Sequence, residues 1–194
     1  MQTRDRRPLL IGGGVILLVI LAVVAFVPLG GSSAPTPAPG SSPAPSSIVI
    51  GGSPLLGKPA PAFALQDLAG NTVSLADYAG RPVIVNWWAS WCIPCREEFP
   101  IMVAGLEQHK DQGLEILGIV YKDSATNAQA FATDHDAHWP LLQDPDAKTW
   151  SAYYGIGVPM TAFIDGKGIV QAMSYGPLSQ DGFDSYVKQI LPAS

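Results

Sequence analysis

Cysteine is almost missing from this 194-residue chain: there are two, Cys92 and Cys95, and two residues separate them. With no further cysteine and no second C-x-x-C or H-x-x-H partner close in sequence, a four-ligand zinc site is the weaker reading of the pair. No cysteine follows the N-terminal apolar stretch closely either, which removes the attachment site of a bacterial lipoprotein. Basic residues are also scarce. Eleven Lys and Arg, mostly scattered, stand against sixteen Asp and Glu, a balance that argues against nucleic acid as a partner. No internal repeat is visible, and charge is absent altogether from Leu9 to Val27.

That uncharged stretch sets the compartment. Its nineteen residues, at about 1.5 Å each, give roughly 28 Å as a helix, close to the thickness of a bilayer hydrocarbon core. Arg4, Arg6 and Arg7 precede it and no basic cluster follows, which puts the N-terminus in the cytoplasm and the rest of the chain outside. Residues 1–28 are thus expected to be a cytoplasmic basic tip and a single-pass signal-anchor in the cell membrane. The competing reading is a cleaved signal peptide, with Gly12-Gly13-Gly14 shortening the apolar core and Ser32-Ser33-Ala34 as a cleavage region. Residues 29–54 are rich in Pro, Gly, Ser and Ala, with Pro35, Pro37, Pro39, Pro43 and Pro45 in near-alternation, so they read as a semi-extended spacer. Within it, Ile48-Val49-Ile50 reads as a short edge strand or a docking spot. Residues 55–194 suffice for one domain with its own core.

In that domain Phe63–Leu65 and Thr72–Leu75 predict a hairpin around the Asp67–Asn71 turn. Pro82–Trp88 reads as a buried strand, Ala89–Trp91 as an exposed turn, and Phe99, Met102, Val103 and Leu106 as the apolar side of a helix that Pro100 should kink. Leu114–Tyr121 is a second central strand, parallel to the first because a helix intervenes. Helices are expected from about Ser124 through Phe131, from about Asp146 to Tyr154, and from Asp181 to Ile190. Met160–Asp165 and Ile169–Ser174 predict a second hairpin.

The cysteines fall where the first strand gives way to its helix. Both thiols then sit in a first helical turn, where free N–H groups and the helix dipole favour a thiolate on Cys92, and Pro94 suits that turn because its missing N–H has no partner there. Cys92 is the expected nucleophile. A purely structural disulfide is the bland alternative, but closing a two-residue loop adds little chain-entropy stabilisation.

The run Trp88-Ala89-Ser90-Trp91-Cys92-Ile93-Pro94-Cys95, with Gly157-Val158-Pro159 about 65 residues on, resembles the thioredoxin superfamily. Gly57-Lys58-Pro59-Ala60-Pro61-Ala62-Phe63, Val73-Ser74-Leu75 and Tyr121-Lys122-Asp123 narrow the likeness to its membrane-tethered TlpA, ResA and CcmG group. The resemblance implies an α/β thioredoxin-like fold, a central mixed sheet flanked by helices with an N-terminal β-hairpin extension, behind a single transmembrane helix. It implies an extracytoplasmic thiol-disulfide oxidoreductase that reduces protein disulfides, apocytochrome c cysteines being one candidate substrate. It further implies a membrane electron donor of the CcdA/DsbD type and no cofactor. Cys92 and Cys95 would form the redox-active disulfide, and Val158 and Pro159, with a cis bond between them, would bind substrate beside Cys92. Trp91 would shield Cys92, unless it packs as a core tryptophan.

The chain departs from thioredoxin itself at Asn86, where a buried Asp is usual. Glu98 is the replacement candidate: it lies three residues after Cys95 on the same helix face, and ResA-like proteins carry Glu at the matching position. Buried, it would accept the proton of Cys95; exposed, it would be a solvated helix residue like Glu97. Met160 stands where CcmG-like proteins often have Glu, which weakens transfer of their partner specificity. Three readings compete with the reductase. A thiol peroxidase of the peroxiredoxin type would need Thr shortly before its reactive cysteine, where Ser90-Trp91 stands. A non-catalytic assembly module of the copper-chaperone kind would want three residues between the cysteines. A metal site at Asp134-His135-Asp136-Ala137-His138 competes with a polar loop, and no metal is expected. His109, alone near a helix end, is explained by the dipole.

Overall fold

The structure, a computed structural model, describes residues 52–192. The expected membrane span, the spacer up to Gly51 and Ile48-Val49-Ile50 lie outside them. Among the described residues no helix is long and apolar enough to cross a membrane.

The first elements are the predicted hairpin, β1 (Ala64–Asp67) and β2 (Thr72–Ser74), paired antiparallel. Asp67 makes the turn: its Oδ1 accepts from the backbone N–H groups of Ala69 and Asn71, and its Oδ2 from Asn71 Nδ2. β3 (Val83–Trp88) is buried along its whole length, as a run with apolar residues on both faces requires. It leads into α1 (Ile93–His109), and β4 (Glu115–Val120) returns parallel to β3. Then follow α2 (Ala125–Asp134), β5 (Leu141–Gln143), α3 (Lys148–Ala152), the antiparallel pair β6 (Met160–Ile164) and β7 (Val170–Tyr175), and α4 (Gln180–Ile190). One seven-stranded sheet runs β2-β1-β5-β4-β3-β6-β7, so β3 lies between a parallel neighbour and an antiparallel one.

Two expectations need correction. Pro100 does not divide α1, which is one continuous helix from Ile93 to His109. The proline sits on the exposed face, so the N–H it lacks is one on the solvent side of the helix, not the packed side. α3 is shorter than the expected stretch from Asp146 to Tyr154. The Asp144 carboxylate accepts from the N–H groups of Lys148 and Thr149 at one end, and at the other Tyr154 turns to a left-handed φ of 58°. Leu141–Gln143, which has no pattern of its own in the sequence, is the strand that joins the N-terminal hairpin to the sheet, pairing with β1 on one side and β4 on the other.

Alternation along β3 divides the core. Ile84 and Trp88 pack with Phe99, Phe131, Phe163 and Phe183 on one face; Val83, Val85 and Trp87 pack with Leu117, Ile119 and Tyr153 on the other. The first face carries α1. Gly105 on α1 lets α4 approach so closely that a Cβ there would lie 2.1 Å from Phe183 Cε1. Ala is the better helix former by about 1 kcal/mol, but displacing a fully buried ring costs more, about 1–3 kcal/mol. Gly105→Ala should therefore lower the melting temperature by roughly 3–8 °C, whereas a rise would show that α4 yields freely.

Candidate active site

Two neighbouring loops and one helix turn build the site. Cys92 is the N-cap of α1, with extended backbone (φ −82°, ψ 105°), and its sulfur accepts from Cys95 N–H at 3.2 Å. Pro94 occupies the first turn, as expected. The two cysteines are joined as a disulfide, with Cα atoms 5.3 Å apart. The expected exposed turn is only partly so. Trp91 and Ile93 are 56% and 72% exposed, yet Cys92 between them is 4% exposed and Cys95 not at all. The disulfide lies below a rim of apolar side chains, and any opening onto it reaches Cys92.

The turn before Cys92 is pinned at two points. Ser90 N–H donates to Asp123 Oδ2 at 2.7 Å, and Arg96, from the first turns of α1, donates to Ser90 O at 3.1 Å while lying over the Phe131 ring. Burial pulls the Asp123 carboxyl upward, but hydrogen bonds from Ser90, Ser124 and Asn127 outweigh it and hold the group below its usual value. Asp123 therefore stays a carboxylate. Trp91 is no core residue: its Nε1 donates to Lys122 O at 3.2 Å, tying the rim to the same β4–α2 loop. Both anchors join residues more than thirty positions apart and have no signature in the sequence, where Asp123 stands only in a family likeness. Val158–Pro159 is cis, as the resemblance implies, and Val158 packs against the cluster that contains both cysteines. Tyr154 and Ile156, on the loop that ends there, are exposed.

Glu98 is fully buried, unlike exposed Glu97, so of its two readings the solvated one is excluded. Its Oε1 accepts from Asn86 Nδ2 at 2.9 Å and its Oε2 from Leu178 N–H at 3.1 Å. Burial raises its pKa to about 8, and the two hydrogen bonds resist that rise. At neutral pH the disulfide form thus carries a protonated carboxyl one helical turn below Cys95. Asn86, fully buried on β3, also donates to Thr161 Oγ1 at 2.9 Å.

The rival metal cluster does not assemble. Among the described residues no group of three or more His, Cys, Asp or Glu is placed to hold an ion. His135 Nδ1 instead bonds Phe131 O at 2.8 Å, and its ring stacks on Phe131 with centroids 4.1 Å apart. The segment is the end of α2 and the loop after it.

Comparison with known proteins agrees with this arrangement. The sequence profile of the AhpC/TSA family matches residues 56–173. Thiol-disulfide oxidoreductase ResA of Bacillus subtilis is 31% identical over 70% of this chain and 76% of its own length. ResA of Geobacillus thermodenitrificans is 33% identical over 71% of this chain and 79% of its own. A crystal structure from Chlorobium tepidum, of a DsbE-type thiol:disulfide interchange protein, superposes with a TM-score of 0.65 at 29% identity, covering 71% of this chain and 98% of that one. A profile that takes in the cysteine loop and the loop of Pro159 places the chain in the AhpC/TSA family of thioredoxin-like proteins, and its relatives place it there as a thiol-disulfide oxidoreductase of ResA/DsbE type.

Proposed function

We propose that the chain is a membrane-tethered extracytoplasmic reductase of protein disulfides, with Cys92 as nucleophile, Cys95 as resolving thiol and Glu98 as proton acceptor. One observation carries the reading: the buried Glu98 carboxyl lies one turn from Cys95, the sulfur that no solvent reaches. A Cys95 thiol attacking from such a position needs a proton acceptor inside the protein. In the reaction the Cys92 thiolate attacks one sulfur of the substrate disulfide, forming a mixed disulfide and releasing the other substrate sulfur as a thiolate that takes a proton from solvent. Cys95 then passes its proton to Glu98 and attacks Cys92 Sγ. The second substrate sulfur leaves, two electrons have moved to the substrate, and the Cys92–Cys95 disulfide remains with Glu98 protonated. Re-reduction returns that proton to Cys95.

Residues 1–28 supply the anchor in this reading and residues 29–54 the spacer, holding the domain near a membrane donor of the CcdA/DsbD type. Trp91, Val158 and Pro159 receive the substrate, whose backbone pairs beside Cys92. Apocytochrome c cysteines are the substrate that the family likeness favours. Equilibrating the full chain with glutathione tests the direction: a potential near the reducing end of C-x-x-C proteins, about −270 mV, is expected, and one near −120 mV overturns the reductase. Insulin and an apocytochrome peptide should be reduced far faster than hydrogen peroxide is.

Glu98→Gln should slow disulfide reduction about 100-fold at pH 7 and change the shape of the pH-rate profile, and an unchanged profile would remove the proton-acceptor role. Stability changes as well. A carboxyl raised from 4.5 to about 8 in the folded state stabilises fully below pH 4.5, and that contribution is lost as pH rises through 8. Between those limits the wild type should lose on the order of a few kcal/mol relative to Glu98→Gln in denaturant titrations; parallel pH curves for the two would remove the buried-acid reading.

A further inference from the structure

Both hydrogen bonds to Glu98 come from donors, an arrangement that suits a carboxylate. In the disulfide form near neutral pH, however, the group is protonated, and a buried O–H without an acceptor is costly. An acceptor is close by. Asn86 uses both Nδ2 hydrogens, one toward Glu98 Oε1 and one toward Thr161 Oγ1, while its Oδ1 is buried without a partner. Oxygen and nitrogen of an amide have nearly the same shape, so a half-turn of the group needs no extra space. After that turn Oδ1 faces Glu98 and can accept its O–H, while Nδ2 takes the unpartnered place of Oδ1, so each orientation leaves the same end of the amide without a partner.

Thr161 fits both positions. It lies directly opposite Asn86 in the β3–β6 register, and both side chains are fully buried on the sheet face that carries α1. A hydroxyl accepts through its lone pairs or donates through its hydrogen, so Thr161 can meet Nδ2 in one orientation and Oδ1 in the other. Apart from Cys95 after reduction, the groups facing Glu98 do not titrate: Asn86 from β3 and the Leu178 N–H. No charged group acts on it.

We propose that Asn86 is a positioning residue whose side-chain amide, steadied by Thr161, turns over each time Glu98 gains or loses a proton. The inference rests on Glu98 exchanging a proton with Cys95. Asn86 then favours neither protonation state of Glu98 strongly, and the carboxyl can both receive and return the proton within one catalytic cycle.

Nuclear magnetic resonance of the full chain in detergent micelles tests this, following the Glu98 carboxyl carbon and the Asn86 side-chain amide from pH 5 to 10. The expected result is one shared midpoint for both signals and a static Asn86 amide in Glu98→Gln. If Glu98 titrates while the Asn86 amide stays still, the turnover is wrong and the Glu98 role stands. If Glu98 does not titrate and Glu98→Gln is fully active, both fall. Thr161→Val, which fits neither orientation, should slow disulfide reduction about tenfold and Thr161→Ser restore it to within about twofold; a Thr161→Val protein with wild-type rates removes Thr161 from the proposal.

Discussion

Replacing Cys95 by serine is expected to stop turnover, by at least about 1,000-fold, and to leave the chain joined to its substrate through Cys92. The expectation rests on an asymmetry in exposure. Cys92 retains 4% of its surface and Cys95 none, so an incoming disulfide meets Cys92, and only the second cysteine can release the product from within. Without Cys95 the mixed disulfide has no internal attacker. On a non-reducing gel the variant should run as a stoichiometric adduct that dithiothreitol dissolves, and Cys92→Ser should give none. Adduct formed through Cys95 in Cys92→Ser, or repeated turnover in Cys95→Ser, would reverse the assignment.

Phe99→Ala should cost about 3–5 kcal/mol, a large share of the roughly 5–15 kcal/mol that holds a domain folded. Phe99 is fully buried on α1, with ring centroids 4.8 Å from Trp88, 4.9 Å from Phe131 and 5.3 Å from Trp139. Truncation leaves a cavity among three large rings that cannot collapse together, because Trp88 is fixed in the central strand. Phe99 also follows Glu98, so water entering the gap should ease the desolvation that raises that carboxyl and bring its titration down. Trp91→Ala, at an exposed position, is the control and should change stability by about 0.5 kcal/mol or less. Equal denaturation midpoints for Phe99→Ala and the wild type would refute this account of the core.

The sequence carried the elements whose signal is local. β3 announced itself by an apolar run, α1 by helical spacing after a C-x-x-C pair, and both hairpins by their turn residues. β5 has three residues, too few to show a period, and its place in the sheet depends on Gly118–Val120 of β4 on one side and on Gln66 and Asp67, far earlier in the chain, on the other. The site shows the same division. The cysteines and Glu98 follow from spacing along one helix, but the partners that determine what Glu98 does are Asn86, 12 residues before it, and Leu178, 80 residues after. Asp123, 33 residues from the Ser90 it holds, and Thr161, 75 from Asn86, leave no periodic trace. The depth of Cys92 leaves no local trace either, since a turn between a strand and a helix reads as exposed whatever packs over it.

The Asp67–Asn71 turn joins β1 and β2, the two outermost strands on one side of the sheet, with β5 and β4 between that hairpin and the strand from which the disulfide hangs. A fluorophore or affinity tag grafted at that tip would report on or immobilise the molecule without crowding an incoming substrate. The same separation leaves the hairpin open to insertions during divergence while the chemistry remains unchanged.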